Sequence, residues 1–287
     1  MKLFFLIALF TFSFIFVKNL SAQNEFHSPP NVKLFADYLF CEKDYLRAAE
    51  EYQKLNSEKM DDTVDYKIAL SYSIIKDFAN AKKSLSKIDR KSVFYELSAL
   101  ELLKINYLLN ERTELEKSEN FDSIFTDSQK KSSAMKLIFL AELKEGTFLK
   151  NANDFLFAFN DSEKASAKEL FDLKIFPPYK NSLKAGILSA IIPGAGKFYV
   201  DEIGDGVMAL LTTGIFAFLS YDNFKAEHNF RGWLFAGIST LFYAGNIYGS
   251  VAAAQIYNTR VDYEFGVKLN SFLDDNKFFI PQINFCK

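Results

Sequence analysis

Three patterns of apolar residues succeed one another along this chain. Leu3 to Val17 is an unbroken apolar run of 15 residues, with Lys2 before it and Ser21-Ala22-Gln23 after it. A positive start, a short apolar stretch and small residues at its end make a secretory signal, assigned to residues 1–23. The alternative is an uncleaved signal anchor, because Leu20 is large for its place before a cut at Ala22. Either form sends the following residues across a membrane, and no Cys near Ala22 supports a lipid anchor.

The second pattern is helical. After a linker over 24–30, residues 31–176 are bracketed by Pro29-Pro30 and Pro177-Pro178, and only Gly146 lies between 24 and 185. Proline pairs stop helices, so the stretch between them reads as one helical domain. It contains a repeat. Ala36, Tyr45, Ala48, Tyr52 and Leu55 recur 33 residues later as Ala69, Phe78, Ala81, Leu85 and Ile88. Small alanines let two helices approach, and the aromatic rings fill the space between them. Lys43-Asp44-Tyr45 and Lys76-Asp77-Phe78 occupy the same turn.

This arrangement resembles the tetratricopeptide repeat (TPR), a pair of antiparallel helices of about 34 residues. Lys43 and Lys76 stand where that family usually has glycine. Ser92–Asn106 with Tyr107–Ser118 gives a third pair, although Glu111 replaces its small residue. Ser128–Lys144 with Thr147–Phe159 gives a fourth, with Phe148 and Phe155 in the aromatic positions, and Ser162–Leu173 closes the array. The competing reading is a helical bundle with chance periodicity. The resemblance implies a groove for a protein or peptide partner.

The third pattern lacks charge. Gly206–Tyr221 holds 16 uncharged residues and Gly232–Thr259 holds 28. A membrane-spanning helix needs about 17–25 largely apolar residues. Residues 203–257 are therefore predicted to be a two-helix membrane hairpin, with Tyr221 and Trp233 at headgroup level and a charged loop, Asp222–Arg231, between the spans. Gly245, Gly249 and Ala253, four apart, are predicted to pack against the preceding helix at Gly214 or Ala217, or less favourably against a second copy. Asn246 and Gln255 read as hydrogen-bonding glue. Within residues 180–199 the apolar stretch Ala185–Gly196, 12 residues, is too short to span and suits an interfacial or re-entrant segment ended by Pro193-Gly194.

Pro193-Gly194-x-Gly196-x-x-Tyr199, followed by Gly204 or Gly206 and two apolar stretches, resembles the turn of small bacterial two-transmembrane domains. Gly-Asn-Ile-Tyr-Gly at 245–249 with Tyr257-Asn258 is similar to a variant fused to periplasmic repeat domains. The resemblance spans about 182–260; that family has no agreed enzymatic activity, so the resemblance implies membrane anchoring and little more. Lys197 replaces a common Gln there. In the tail, 260–287, Val261–Leu269 alternates apolar and polar residues and Lys277–Phe285 forms a second such run, so a short β-hairpin is expected. The fold class is thus all-α with that one exception.

Composition narrows the chemistry. With 49% hydrophobic and 24% charged residues and net charge -2, the chain is neither a polytopic transporter nor disordered, and it has no basic surface for nucleic acid. His27 and His228 lie in the linker and the hairpin loop. Cys41 falls in a helical pattern, which favours a small buried thiol over pairing with Cys286. Gly194-Ala195-Gly196-Lys197 mimics part of a phosphate loop, but Ile191 and Phe198 occupy positions that pattern needs filled otherwise. No catalytic, cofactor-binding or metal-ligating set stands out, and no cofactor is expected. The reading is a non-enzymatic, membrane-anchored scaffold at the bacterial inner membrane, with repeat domain and tail in the periplasm. Its partners are the bilayer and an unidentified protein or peptide, with a homo-oligomer as an option. The alternative is a membrane assembly or transport accessory factor acting through an oligomerised hairpin.

Overall fold

The computed structural model describes residues 28–55, 61–111, 121–147, 151–280 and 283–286. The signal segment and Phe148 lie outside them. The described residues are all-α, without a strand. They divide into two compact units: residues 1–148 with 277–287, and residues 149–276. The chain therefore leaves the first unit and returns to it.

In the first unit, α1 (Pro29–Cys41) and α2 (Tyr45–Gln53) form one helix pair, and α3 (Asp62–Ile74) and α4 (Phe78–Leu85) the next. Then come α5 (Tyr95–Leu109), the short α6 (Phe121–Ile124) and α7 (Ser128–Glu145). Asp44 and Asp77 cap α2 and α4, each accepting a backbone N–H from three residues on, which satisfies an otherwise orphaned helix donor. Ala36, Ala48, Tyr52, Ala69, Ala81 and Leu85 are buried in one apolar core, with Tyr45 and Phe78 packed on it.

The turn after the first helix of each pair recurs at the level of single hydrogen bonds. Asp44 N–H donates to Leu39 O at 2.9 Å, and 33 residues later Asp77 N–H donates to Tyr72 O at 2.9 Å. Glu111 to Asn106 and Thr147 to Glu142 repeat it at 3.0 and 2.9 Å. The residue before each donor, Lys43, Lys76, Asn110 and Gly146, has φ of 65°, 63°, 55° and 74°. This is the left-handed helix terminus that glycine or asparagine adopts cheaply and lysine does not. Lys43→Gly or Lys76→Gly is therefore expected to stabilise the protein by about 0.5–1 kcal/mol, the relief of left-handed strain less glycine's backbone entropy, read as a raised thermal midpoint.

The second unit is built on one long helix. It comprises α8 (Ala152–Phe157), α9 (Asp161–Ile175), α10 (Ser182–Ile191), α11 (Ala195–Tyr199), α12 (Ile203–Lys225) and α13 (Asn229–Asp275). α13 has 47 residues, roughly 70 Å at 1.5 Å per residue. Its first half runs antiparallel to α12, where Ser220 Oγ donates to Gly232 O at 2.9 Å and Ser239 Oγ to Thr213 O at 3.2 Å. Phe216 stacks on Phe235 and Phe242. Its last third packs on α9 and on Phe159 just before it, through Phe159 against Phe272, Lys174 over Phe265 and the Lys268–Glu169 ion pair.

Three expectations change here. The β-hairpin is absent: Val261–Leu269 is helix, and the buried residues are Val261, Phe265 and Leu269, with Tyr263 exposed. A period of two contains a period of four, and no Gly or Pro breaks α13 before this point. The domain boundary falls near 148 instead of 176. Phe155 stacks near Phe159 and Phe171 in the second unit, so α8 and α9 support α13 and do not close the repeat array. Finally, α12 is the one described helix long and apolar enough to cross a membrane, with mean hydropathy 1.6. Residues 232–259 carry no charge, but their glycines, tyrosines, asparagines and Gln255 dilute the apolar content.

Candidate functional site

Two places gather side chains with chemical potential, one in each unit. In the first unit, α1, α3 and α5 share a face on which residues 277–280 and 283–286 of the same chain lie. Phe285 sits among three rings: Phe40 at 6.1 Å, Tyr66 at 6.2 Å and Phe94 at 6.3 Å. Lys67 Nζ lies 4.9 Å from the centre of the Phe285 ring while pairing with Asp37 at 2.5 Å, and Tyr52 donates to the same carboxylate. Farther along, Phe279 packs against Tyr107 at 5.8 Å, and Lys104 Nζ donates to Ile280 O at 3.3 Å. Lys104 is itself buried and held by Glu101 at 3.2 Å, which accepts from Ser73. Burial pushes the Tyr66 and Tyr52 hydroxyls well above the usual phenol range, with the Asp37 hydrogen bond adding to the effect at Tyr52. Both hydroxyls therefore stay neutral at physiological pH, and Tyr52 donates to Asp37.

Cys286 completes the segment by bonding to Cys41, with Cα atoms 5.4 Å apart across 245 residues of sequence. This corrects the expectation of a buried thiol at Cys41. It is the last residue of α1 and exposed, and helical spacing alone does not reveal what the far end of the chain brings to it.

In the second unit, the predicted turn residues form a tight polar junction. Pro193 follows the end of α10 at Ile191. Gly194 has φ 87°, and a Cβ there would lie 2.1 Å from Gly206 O; a Cβ on Gly196 would lie 1.9 Å from Ala185 O. Gly194 N–H donates to Asn246 Oδ1 at 3.1 Å and Gly196 N–H to Ser189 Oγ at 2.9 Å. Ser189 Oγ also bonds to Ser250 Oγ at 2.6 Å. The Tyr199 hydroxyl accepts from Asn181 N–H at 3.2 Å. Beside the junction a cleft of about 480 Å³ is lined by Lys197, Asp205, Met208, Phe242, Gly245 and Asn246, and Lys197 pairs with Asp205 at 3.5 Å.

The helix-packing expectation shifts by one residue. Gly245 has no heavy atom within 4 Å of an added Cβ, Gly249 meets only Lys197, and Ala253 is half-buried. The buried stripe is Asn246, Ser250 and Ala254, and it faces α10 and the turn, not Gly214. Hydrogen bonding decides this: Asn246 accepts the Gly194 N–H and donates to Ser189 O, and Ser250 partners the Ser189 hydroxyl, and glycines offer nothing in exchange. Gln255, the other predicted glue residue, is exposed. Asn246→Leu is expected to cost about 1–3 kcal/mol by stranding the Gly194 N–H, whereas Gln255→Leu leaves the thermal midpoint in detergent unchanged.

Among the described residues, no group of three or more His, Cys, Asp or Glu side chains is placed to hold a metal ion. No family model matches the chain, and neither a curated protein nor a solved structure matches it.

Proposed function

We propose that this protein is a non-enzymatic scaffold of the bacterial envelope, anchored in the inner membrane by the α12–α13 hairpin and presenting a TPR-like unit in the periplasm to a protein or peptide partner. The observation that carries the binding role is the C-terminal segment itself: residues 283–286 lie without helix or strand on the α1–α3–α5 face, with Phe285 between three rings. A surface that holds one non-helical segment by aromatic and main-chain contacts has the chemistry to hold another. The turns at Lys43 and Lys76, 33 residues apart and each followed by an aspartate that caps the next helix, support the repeat reading.

Three features support the anchor. α12 has the required length and hydropathy, and the outer surfaces of the helix pair expose Leu211, Ile215, Phe218, Leu234, Leu241 and Tyr248. Rings and cations gather at two levels of α13. Trp233 meets Phe224 at one end, and at the other Lys180 and Lys184 lie over Tyr199, with Lys180 and Arg260 over Tyr257. Trp233 and Tyr257 are 24 residues apart, roughly 36 Å along a helix, which fits a hydrocarbon core of about 30 Å with its interfaces. The Cys41–Cys286 bond supplies the third. Its two cysteines must lie on one side of any membrane, so the chain between them crosses an even number of times. If α12 crosses, the antiparallel half of α13 returns. Disulfides persist outside the reducing cytosol, which favours the exported side.

The test is capture. Full-length protein in mild detergent, immobilised and exposed to envelope extract with and without dithiothreitol, should retain a polypeptide that Phe94→Ala and Lys104→Met protein does not. Equal retention by that variant would remove the face from partner binding.

A further inference from the structure

The tail is an addition to the first unit, not a member of its core. In the cluster beneath the tail the buried residues lie between Ala36 and Ile105, while Ile283, Phe285 and Cys286 pack on that cluster from outside and stay partly exposed. Removing the tail would bare Phe40, Tyr66 and Phe94 without opening the interface between paired helices. A large bare aromatic patch is a binding surface.

The segment's contacts define what fits. It offers two aromatic side chains six positions apart: Phe279 for Tyr107, and Phe285 for the ring cluster beneath Lys67. Between them, Ile280 O takes the Lys104 hydrogen bond. Lys67 and Lys104 favour aromatic faces and carbonyl oxygens, and they would repel a basic ligand at those points. The disulfide fixes one end of this arrangement, and Cys41 is exposed to a reductant.

We propose that the α1–α3–α5 face is a groove for a peptide carrying two aromatic residues six apart, that this chain's own tail is its resident occupant, and that reduction of Cys41–Cys286 by a dithiol opens the groove to such a peptide in trans. One thiolate of the reductant attacks a sulfur of the pair, forming a mixed disulfide and expelling the other cysteine as a thiolate. The reductant's second thiol then displaces the first cysteine. The dithiol ends as a disulfide, and both protein cysteines take up protons as thiols. The freed tail remains tethered at Asn276, so it still competes at an effective concentration on the order of mM. A competing ligand must bind tightly or be tethered itself.

This gate rests on the scaffold reading, and the two fail separately. Envelope partner retained with and without dithiothreitol keeps the scaffold and overturns the gate. The direct experiment uses a fluorescent peptide of residues 277–287, with serine in place of Cys286 to prevent covalent trapping, and the purified protein in detergent. Oxidised full-length protein should give no anisotropy change. The chain ending at Asn276 should bind, and full-length protein with dithiothreitol should bind more weakly than that truncated chain. Alanine in the peptide at Phe285 should weaken binding at least 10-fold. If the truncated chain loses its helical circular dichroism, full-length Phe285→Ala/Cys286→Ser protein replaces it and should bind the same peptide. Failure of every folded, tail-free form to bind would overturn the proposal, as would equal binding by the oxidised chain.

Discussion

Gly196→Val is expected to be among the most damaging single changes in this protein, costing about 3 kcal/mol or more. A Cβ at this position would meet the Ala185 carbonyl oxygen at 1.9 Å and its carbon at 2.7 Å. Both are backbone atoms of α10, so no rotamer change relieves the clash. The turn would have to move away from α10, breaking the Gly196 N–H bond to Ser189 and unseating the Ser189–Ser250 contact. Gly194→Ala should act alike, because its Cβ would meet Gly206 O at 2.1 Å and its φ of 87° disfavours any side chain. The neighbouring controls are Gly245→Ala and Gly214→Ala, where an added Cβ meets nothing within 4 Å. These should match the parent or exceed it by up to about 1 kcal/mol, the helical backbone entropy that glycine costs. Thermal unfolding in detergent reads all four, and a Gly196→Val midpoint equal to that of Gly245→Ala would refute the close-packed turn.

The second large effect belongs to the repeat. Ala48→Trp and Ala81→Trp, 33 residues apart in equivalent helices and both fully buried, are each expected to destabilise the protein by about 1–3 kcal/mol through overpacking, or more where the helix pair cannot spread. Circular dichroism melts of the full chain should show similar losses for the two. Unchanged melts for both would mean that these alanines do not set the spacing of α1–α2 and α3–α4.

How much of this was legible follows from where the determining contacts lie in sequence. The pairing of α1 with α2 and of α3 with α4 is local, and the alanine and aromatic spacing carried it along with the shared turn at Lys43 and Lys76. The glycines of the Pro193–Tyr199 turn were also legible, because glycine at a sharp reversal reports a backbone constraint. Val261–Leu269 misled because apolar residues at every second position satisfy a strand and a four-residue helical stripe equally; burial by α9, a hundred residues earlier, chose the helix. The Asn246–Ser250–Ala254 stripe was hidden beside Gly245, Gly249 and Ala253, since both run four apart and only the orphaned N–H groups of a distant turn select between them. Hardest of all was the tail. Phe285 and Cys286 depend on residues more than 180 positions away, and nothing in their own neighbourhood announces it.

The account stands most directly on the sidedness of the chain. Lys180, Lys184 and Lys197 before α12 argue for the opposite orientation by charge alone, whereas the proposed function puts the first unit and the tail outside the cytoplasm, on the side where a Cys41–Cys286 bond persists. Alkaline phosphatase, active only when exported, is to be fused separately after Asn160, after Lys225 and after Lys287. The expected pattern is active, inactive, active. Inactive fusions after Asn160 and Lys287 with an active one after Lys225 would contradict the account.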